Sequence, residues 1–210
     1  SDLVTSLFTD NNSNVWIGTW EAGLNINYFQ KPRFSVFRYK PTTTQGLLSN
    51  KVTSLAVNDQ DGVWVGSNFG ISYFNYKSGK IEHILNSSST NKLGTTNDFD
   101  VNLSYADPKT KSIWIGVWQK GLMEITAQKK KVEYPYLLDN YSKNLSAICG
   151  DGDRILLGTS GIGLIAFDLK TKKYYTPYPE LGLKNLAGKN ITKVFVEDHQ
   201  KIWIGTSGAG

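Results

Sequence analysis

A chain of 210 residues, 40% hydrophobic and 20% charged, has the composition of a folded globular protein and excludes a disordered segment. No apolar stretch approaches the roughly 18 residues of a bilayer-spanning helix, and no basic-then-apolar signal segment opens the chain. The net charge of +5 mildly favours anionic partners, but the lysines concentrate in "QKKK" and "KTKK", which read as turns and solvated strand ends. Six Trp, eleven Tyr and nine Phe against one Met, with 20 Gly, select strands and tight turns, so the fold class is all-β.

The first predicted elements are four short strands, "LVTSLFT", "VWIGTW", "LNINYF" and "RFSVFRY", within about residues 2 to 41. The second group, about 50 to 86, runs "KVTSLAV", turn "NDQD", "GVWVGS", turn "NFG", "ISYFNY", turn "KSG", "KIEHIL". In its first strand Val52, Ser54 and Ala56 alternate with Thr53, Leu55 and Val57, which is the period of a strand. The pattern returns as "VNLSYA", "SIWIGVW", "LMEIT" and "KVEYPYL" over about 99 to 138, and as "LSAIC", "RILLGTS", "LIAFDL" and "KYYTPY" over about 144 to 178. A fifth group, about 190 to 210, stops after its second strand. Cys149 is the only cysteine, which rules out an internal disulfide; it reads as a small buried residue ending the strand "LSAIC".

The second strand of each group carries one motif, at Trp16 and Gly18, Trp64 and Gly66, Trp114 and Gly116, Leu156 and Gly158, and Trp203 and Gly205. A period of about forty to fifty residues fits propeller blades or helical pairs, and the strand periodicity selects the propeller. Residues 1 to 210 are therefore read as a partial β-propeller of four four-stranded antiparallel blades and half of a fifth. The motif tryptophans are expected to lie buried between blades, Leu156 replacing one at smaller volume, and each Gly to permit close backbone approach. The sequence reads as ending in mid-blade, so the remaining blades or another chain are expected to cover the last sheet.

Trp20 and Trp118 fall outside this motif. The five turns after the second strands carry Trp20-Glu21, Asn68-Phe69, Trp118-Gln119, Ser160-Gly161 and Ser207-Gly208. Counting alternating strand directions places these turns on the face of the long connections "KPTTTQGLLSN" and "NSSSTNKLGTTNDFD". Sugars present apolar faces and hydroxyl rims, which aromatic platforms flanked by amides, carboxylates and hydroxyls recognise. Trp20, Glu21, Asn68, Phe69, Trp118, Gln119 and Ser160 are therefore the candidate ligand-binding residues. The alternative is that each tryptophan covers the end of a neighbouring blade.

"LLSNKVTSLAVNDQDGVWVGS", "LVTSLFTDNNSNVWIGTWEAGLN" and "LAGKNITKVFVEDHQKIWIGTSGAG" resemble the two-component regulator propeller repeat, and the resemblance runs along essentially the whole chain. "RILLGTSGIGL" departs from it by lacking the tryptophan. The resemblance implies the periplasmic sensor region of an inner-membrane hybrid two-component regulator that senses oligosaccharides, with membrane helix and histidine kinase outside this chain. A protein-binding propeller scaffold and a propeller lyase acting on polysaccharide are the alternatives.

Chemistry-bearing constellations are scarce in the sequence. His83 and His199 occupy unrelated positions without a cysteine at metal-ligand spacing, so neither a metal nor a cofactor is expected. There is no G-x-S-x-G elbow, P-loop or dinucleotide fingerprint. The acidic turns "TDNNSN", "NDQDG", "ADPKTKS" and "GDGDR" read as turn chemistry in preference to calcium ligation, and "NDQDGVW" is similar to the Asp-box turn of sialidases without its serine and threonine. Glu21 is the only carboxylate on the five turns, whereas glycoside hydrolysis takes two, so no catalytic residue is assigned. Lysines do not interleave with aromatics, which sets nucleic acid aside.

Overall fold

The computed structural model describes residues 3–28, 34–40, 45–57, 61–86, 99–135, 144–177, 186, 188–198 and 201–208. No helix occurs among them. The strands are β1 (Val4–Thr9), β2 (Val15–Thr19), β3 (Leu24–Asn27), β4 (Phe34–Phe37), β5 (Val52–Ala56), β6 (Gly62–Ser67), β7 (Gly70–Asn75), β8 (Lys80–Asn86) and β9 (Val101–Ala106). Then follow β10 (Ile113–Val117), β11 (Gly121–Ile125), β12 (Lys131–Tyr134), β13 (Leu145–Asp151), β14 (Arg154–Thr159), β15 (Leu164–Asp168), β16 (Lys173–Tyr175), β17 (Asn190–Asp198) and β18 (Lys201–Ser207). They form four four-stranded sheets in chain order and a two-stranded sheet β17-β18, the meanders of an all-β propeller. Two compact units result: Ser1–Ile113 with Thr126–Lys129, and Trp114–Ile125 with Lys130–Gly210.

In the first unit the alternation of the strands brings Trp16, Leu24 and Ile26 from one sheet together with Val52, Val63, Val65 and Phe74 from the next. Trp16 is fully buried and meets Phe74 edge-on, with centroids 5.7 Å apart. Its indole N–H donates to Asp10 Oδ2 at 3.0 Å, and the same carboxylate accepts from the Asn12 and Asn14 backbones and the Asn14 side chain. Burial pushes the Asp10 carboxyl up, but the bonds from Trp16, Asn14 and Asn12 outweigh it and hold the group below the usual carboxylate range. The acidic turn is thus spent on its own backbone and on the motif tryptophan.

The motif glycines sit where two strands and a neighbouring sheet converge. Gly18 pairs with Ser6 and Gly66 with Ser54, and a Cβ at either position would collide with that serine's hydroxyl. It would also meet Val52 Cγ1 at 2.9 Å from Gly18, or Val101 Cγ1 at 3.0 Å from Gly66. Beside each glycine the first strand slips register, leaving Thr5 and Thr53 as bulge residues.

In the second unit Leu156, Leu164 and Ala166 pack with Ile191 and Val194, so leucine fills the tryptophan's place with help from the adjacent sheet. Here the carboxylate near the first turn takes an arginine: Arg154 Nε donates to Asp151 Oδ2 at 2.7 Å and Arg154 Nη1 to the Tyr175 hydroxyl at 3.2 Å. Trp114 is buried against Tyr134 at 5.5 Å and Phe167 at 5.4 Å, with Lys172 Nζ 5.0 Å from its ring centroid. Burial, and then the neighbouring Glu124 carboxylate, pushes the Tyr134 phenol up to about 12.

Two expectations are corrected. Trp203 is 63% exposed, while Trp16, Trp64 and Trp114 are buried: among the described residues no sheet lies over the outer side of β17-β18, and Glu197 Oε2 accepts its indole N–H at 2.9 Å. β13 continues past Cys149 to Asp151, which leaves Cys149 half-buried within the strand, its thiol pushed up by burial. His199 and parts of both long connections lie outside the described residues.

Candidate functional site

Three of the turns after second strands share one small device. Thr19 Oγ1 donates to the Gly23 carbonyl at 2.7 Å, as Thr159 Oγ1 does to Gly163, and Ser67 Oγ donates to Gly70 at 3.2 Å. The hydroxyl closes the loop against its own backbone, and Gly23, Gly70 and Gly163 take positive φ. The residue after it is exposed at Trp20 and Ser160 and half-buried at Asn68. The Trp20 amide donates to Leu3 O at 3.0 Å, and the Ser160 amide to Asn144 O at 3.4 Å. The turn is thereby fastened to the start of the first strand of its own sheet.

In the first unit Trp20 is 41% exposed and Phe69 37%, against full burial of Trp16 four residues from Trp20. Glu21 is exposed beside Trp20. Lys51, at the start of β5, places its ammonium 3.9 Å from the centroid of the Trp20 ring. Asp100, at the start of β9, feels the same charge: burial pushes its carboxyl up and Lys51 opposes the shift. Asn68 is half-buried, and its Oδ1 is buried without a hydrogen-bond partner. Aromatic surface, an ammonium, a carboxylate and an unsatisfied amide acceptor therefore stand at strand starts and turns of the same sheets.

In the second unit Trp118 is 47% exposed and Gln119 takes a positive φ of 58°, with the Lys120 amide closing the turn on Val117 O at 3.0 Å. Ser160 is exposed, and Asn144 Oδ1, beside the carbonyl that fastens it, is buried without a partner. Ser207 and Asn190 occupy the corresponding places of the last sheet, paired across β17 and β18.

Sequence reasoning named Trp20, Glu21, Asn68, Phe69, Trp118, Gln119 and Ser160. It missed Lys51, Asp100 and Asn144, the residues just before the first strands. Their signal was present in the alignment of the repeats: each precedes the Val52, Val101 or Leu145 that opens a first strand. Among the described residues no three His, Cys, Asp or Glu side chains stand together, and His83 Nδ1 is held 2.9 Å from Ser72 Oγ on adjoining strands. The groups on these turns can donate, accept and stack.

The comparisons with known proteins agree with the repeat. The two component regulator propeller family matches residues 1–21. Histidine kinase P4 of Formosa agariphila is 28% identical over 166 residues, which are 75% of this chain and 12% of that kinase. The extracellular domain of the putative hybrid two component system BT3049 from B. thetaiotaomicron superimposes with a TM-score of 0.74 at 26% identity, over 97% of this chain and 26% of that one. The extracellular domain of the putative one component system BT4673 from the same organism gives a TM-score of 0.73 at 20% identity over the same shares, a likeness of fold. The chain spans a minor part of the length of each.

Proposed function

We propose that this chain, whose repeats are similar to those of two component regulator propellers, is a ligand-sensing, non-catalytic part of the periplasmic region of such a regulator. Its ligand is an oligosaccharide, and the signal passes to a kinase elsewhere in the polypeptide. The observation that carries this reading is the contrast within one repeat: Trp16 is fully buried, while Trp20, four residues on, stays 41% exposed. An exposed indole has no role in the core and is the side chain that stacks on sugar C–H faces.

The test is a glycan array probed with the purified protein, followed by calorimetry on the best binder. Trp20→Ala and Trp118→Ala each weaken that binding by about 1–3 kcal/mol with the fold intact. Binding that neither variant alters returns both tryptophans to blade-end packing. Cleavage of the bound glycan, lost in Asp100→Asn, would replace sensing with catalysis.

A further inference from the structure

The corner of the first unit that carries Trp20 is tied together by Asn50. Its backbone carbonyl accepts the Gly23 amide at 3.2 Å, and its side-chain Oδ1 accepts the Tyr39 amide at 2.8 Å. The Leu47 amide closes the same connection by donating to Arg38 O at 3.1 Å. A Cβ on Gly23 would lie 3.4 Å from Arg38 Cα, so the chain leaving β4 runs against the turn that presents Trp20. Lys51 follows Asn50 and places its ammonium 3.9 Å from the Trp20 ring centroid. The corner is thus built where the first two sheets meet, at the joint in which Thr5 Oγ1 donates to Val52 O at 2.7 Å.

Its chemistry is cationic and aromatic. Arg38 and Lys40 are exposed on either side of Tyr39, itself 48% exposed, and Lys51 is half-buried. Against these cations stand the exposed Glu21 and, one sheet further on, Asp100. Burial pushes the Asp100 carboxyl up and Lys51 draws it back, so the charge that sits over the Trp20 ring is also felt at the start of β9.

The position of Lys51 decides which sugar can use the ring. An ammonium within about 6 Å of an indole centroid is held by the negative face of the ring. A neutral sugar stacking on that face drives the ammonium off and returns nothing for the lost attraction. An acidic sugar can stack on the indole while its anionic group keeps the ammonium, and a nearby guanidinium offers such a group a two-pronged donor. We propose that the ligand is an acidic oligosaccharide and that Lys51 selects it, an inference that rests on the reading of these turns as an oligosaccharide site. A carboxylate or sulfate of the sugar pairs with Lys51, Arg38 and Lys40 add to the attraction, and Trp20 takes the sugar's C–H face.

A glycan array that prints each neutral glycan beside its uronate-bearing and sulfated forms tests this, followed by calorimetry on the best binder before and after carboxyl reduction or desulfation. The best binder carries acid groups, and their removal weakens binding about tenfold or more. Loss on carboxyl reduction assigns a carboxylate, and loss on desulfation a sulfate. Affinity for the acidic glycan falls as sodium chloride is raised, because the pair is partly exposed and screened. Lys51→Met keeps an unbranched stem beside the ring, weakens the acidic glycan about tenfold and flattens that salt dependence, with an unchanged melting profile. Lys80→Met, an exposed lysine at the far end of the second sheet, changes neither. A neutral best binder that Trp20→Ala weakens would overturn the acidic ligand and leave the sensing reading standing, whereas an array without any binder overturns both. An acidic glycan that Lys51→Met binds like the parent would overturn the role of Lys51.

Discussion

Replacing Trp16 by alanine tests whether the repeat motif holds the blades together. The side chain is fully buried among Leu24, Ile26, Val52, Val63, Val65 and Phe74. A buried tryptophan removes roughly 150–250 Å² from water, about 4–6 kcal/mol at ~25 cal/mol per Å², of which alanine retains a small part. Large-to-small data put such a truncation at about 3–5 kcal/mol. Loss of the indole donor to Asp10 adds about 1 kcal/mol, because that carboxylate keeps its bonds from Asn12 and Asn14. The expected cost is about 4–6 kcal/mol, a fall in Tm of roughly 10–20 °C for a chain of this size. Thermal and urea unfolding of Trp16→Ala, Trp20→Ala and Trp203→Ala give the comparison. The two exposed residues cost under about 1 kcal/mol each. A Trp203→Ala or Trp20→Ala variant as unstable as Trp16→Ala would refute the assignment of buried and exposed roles.

Three further outcomes follow from the same contacts. Asp10, held below its unfolded value of about 3.9, contributes stability that is full above that pH and lost as pH falls through the folded value. The stability gap between the parent and Asp10→Asn, measured by urea titration, is therefore flat near neutrality and shrinks below about pH 4; a gap that grows on acidification contradicts this. Asp151→Ala strands the Arg154 guanidinium, whose side chain is 19% exposed, and costs about 3–5 kcal/mol, whereas replacing both by leucine and methionine restores much of it in thermal melts. Gly66→Val forces a side chain against Ser54 and Val101 and costs about 1–3 kcal/mol, and Ser54→Gly in the same chain relieves part of that cost.

The blade pattern was legible because its signals are local. Alternation in "KVTSLAV", the Trp-x-Gly step and the turn residues each act within a few positions, and the sheets follow chain order. The neighbours of the motif glycines were not legible, since the collision of a Gly66 Cβ with Val101 joins residues about 35 positions apart. The exposure of Trp203 was missed for a related reason: its sequence is that of the buried motif, and only the absence of a described sheet over it makes it differ. At the candidate site the turn residues were readable from repeat alignment, but Lys51 was not. An ammonium over the Trp20 ring depends on how one sheet meets the next, and it changes the site from a bare aromatic platform to a charged one.

Ligand binding at the exposed turns is the central claim, and isothermal titration calorimetry with the best glycan-array binder tests it most directly. Trp20→Ala, with an unchanged melting profile, is predicted to weaken affinity about 5- to 150-fold, the equivalent of about 1–3 kcal/mol, while Trp203→Ala leaves it unchanged. Equal affinity in the parent and in both Trp20→Ala and Trp118→Ala would contradict the account.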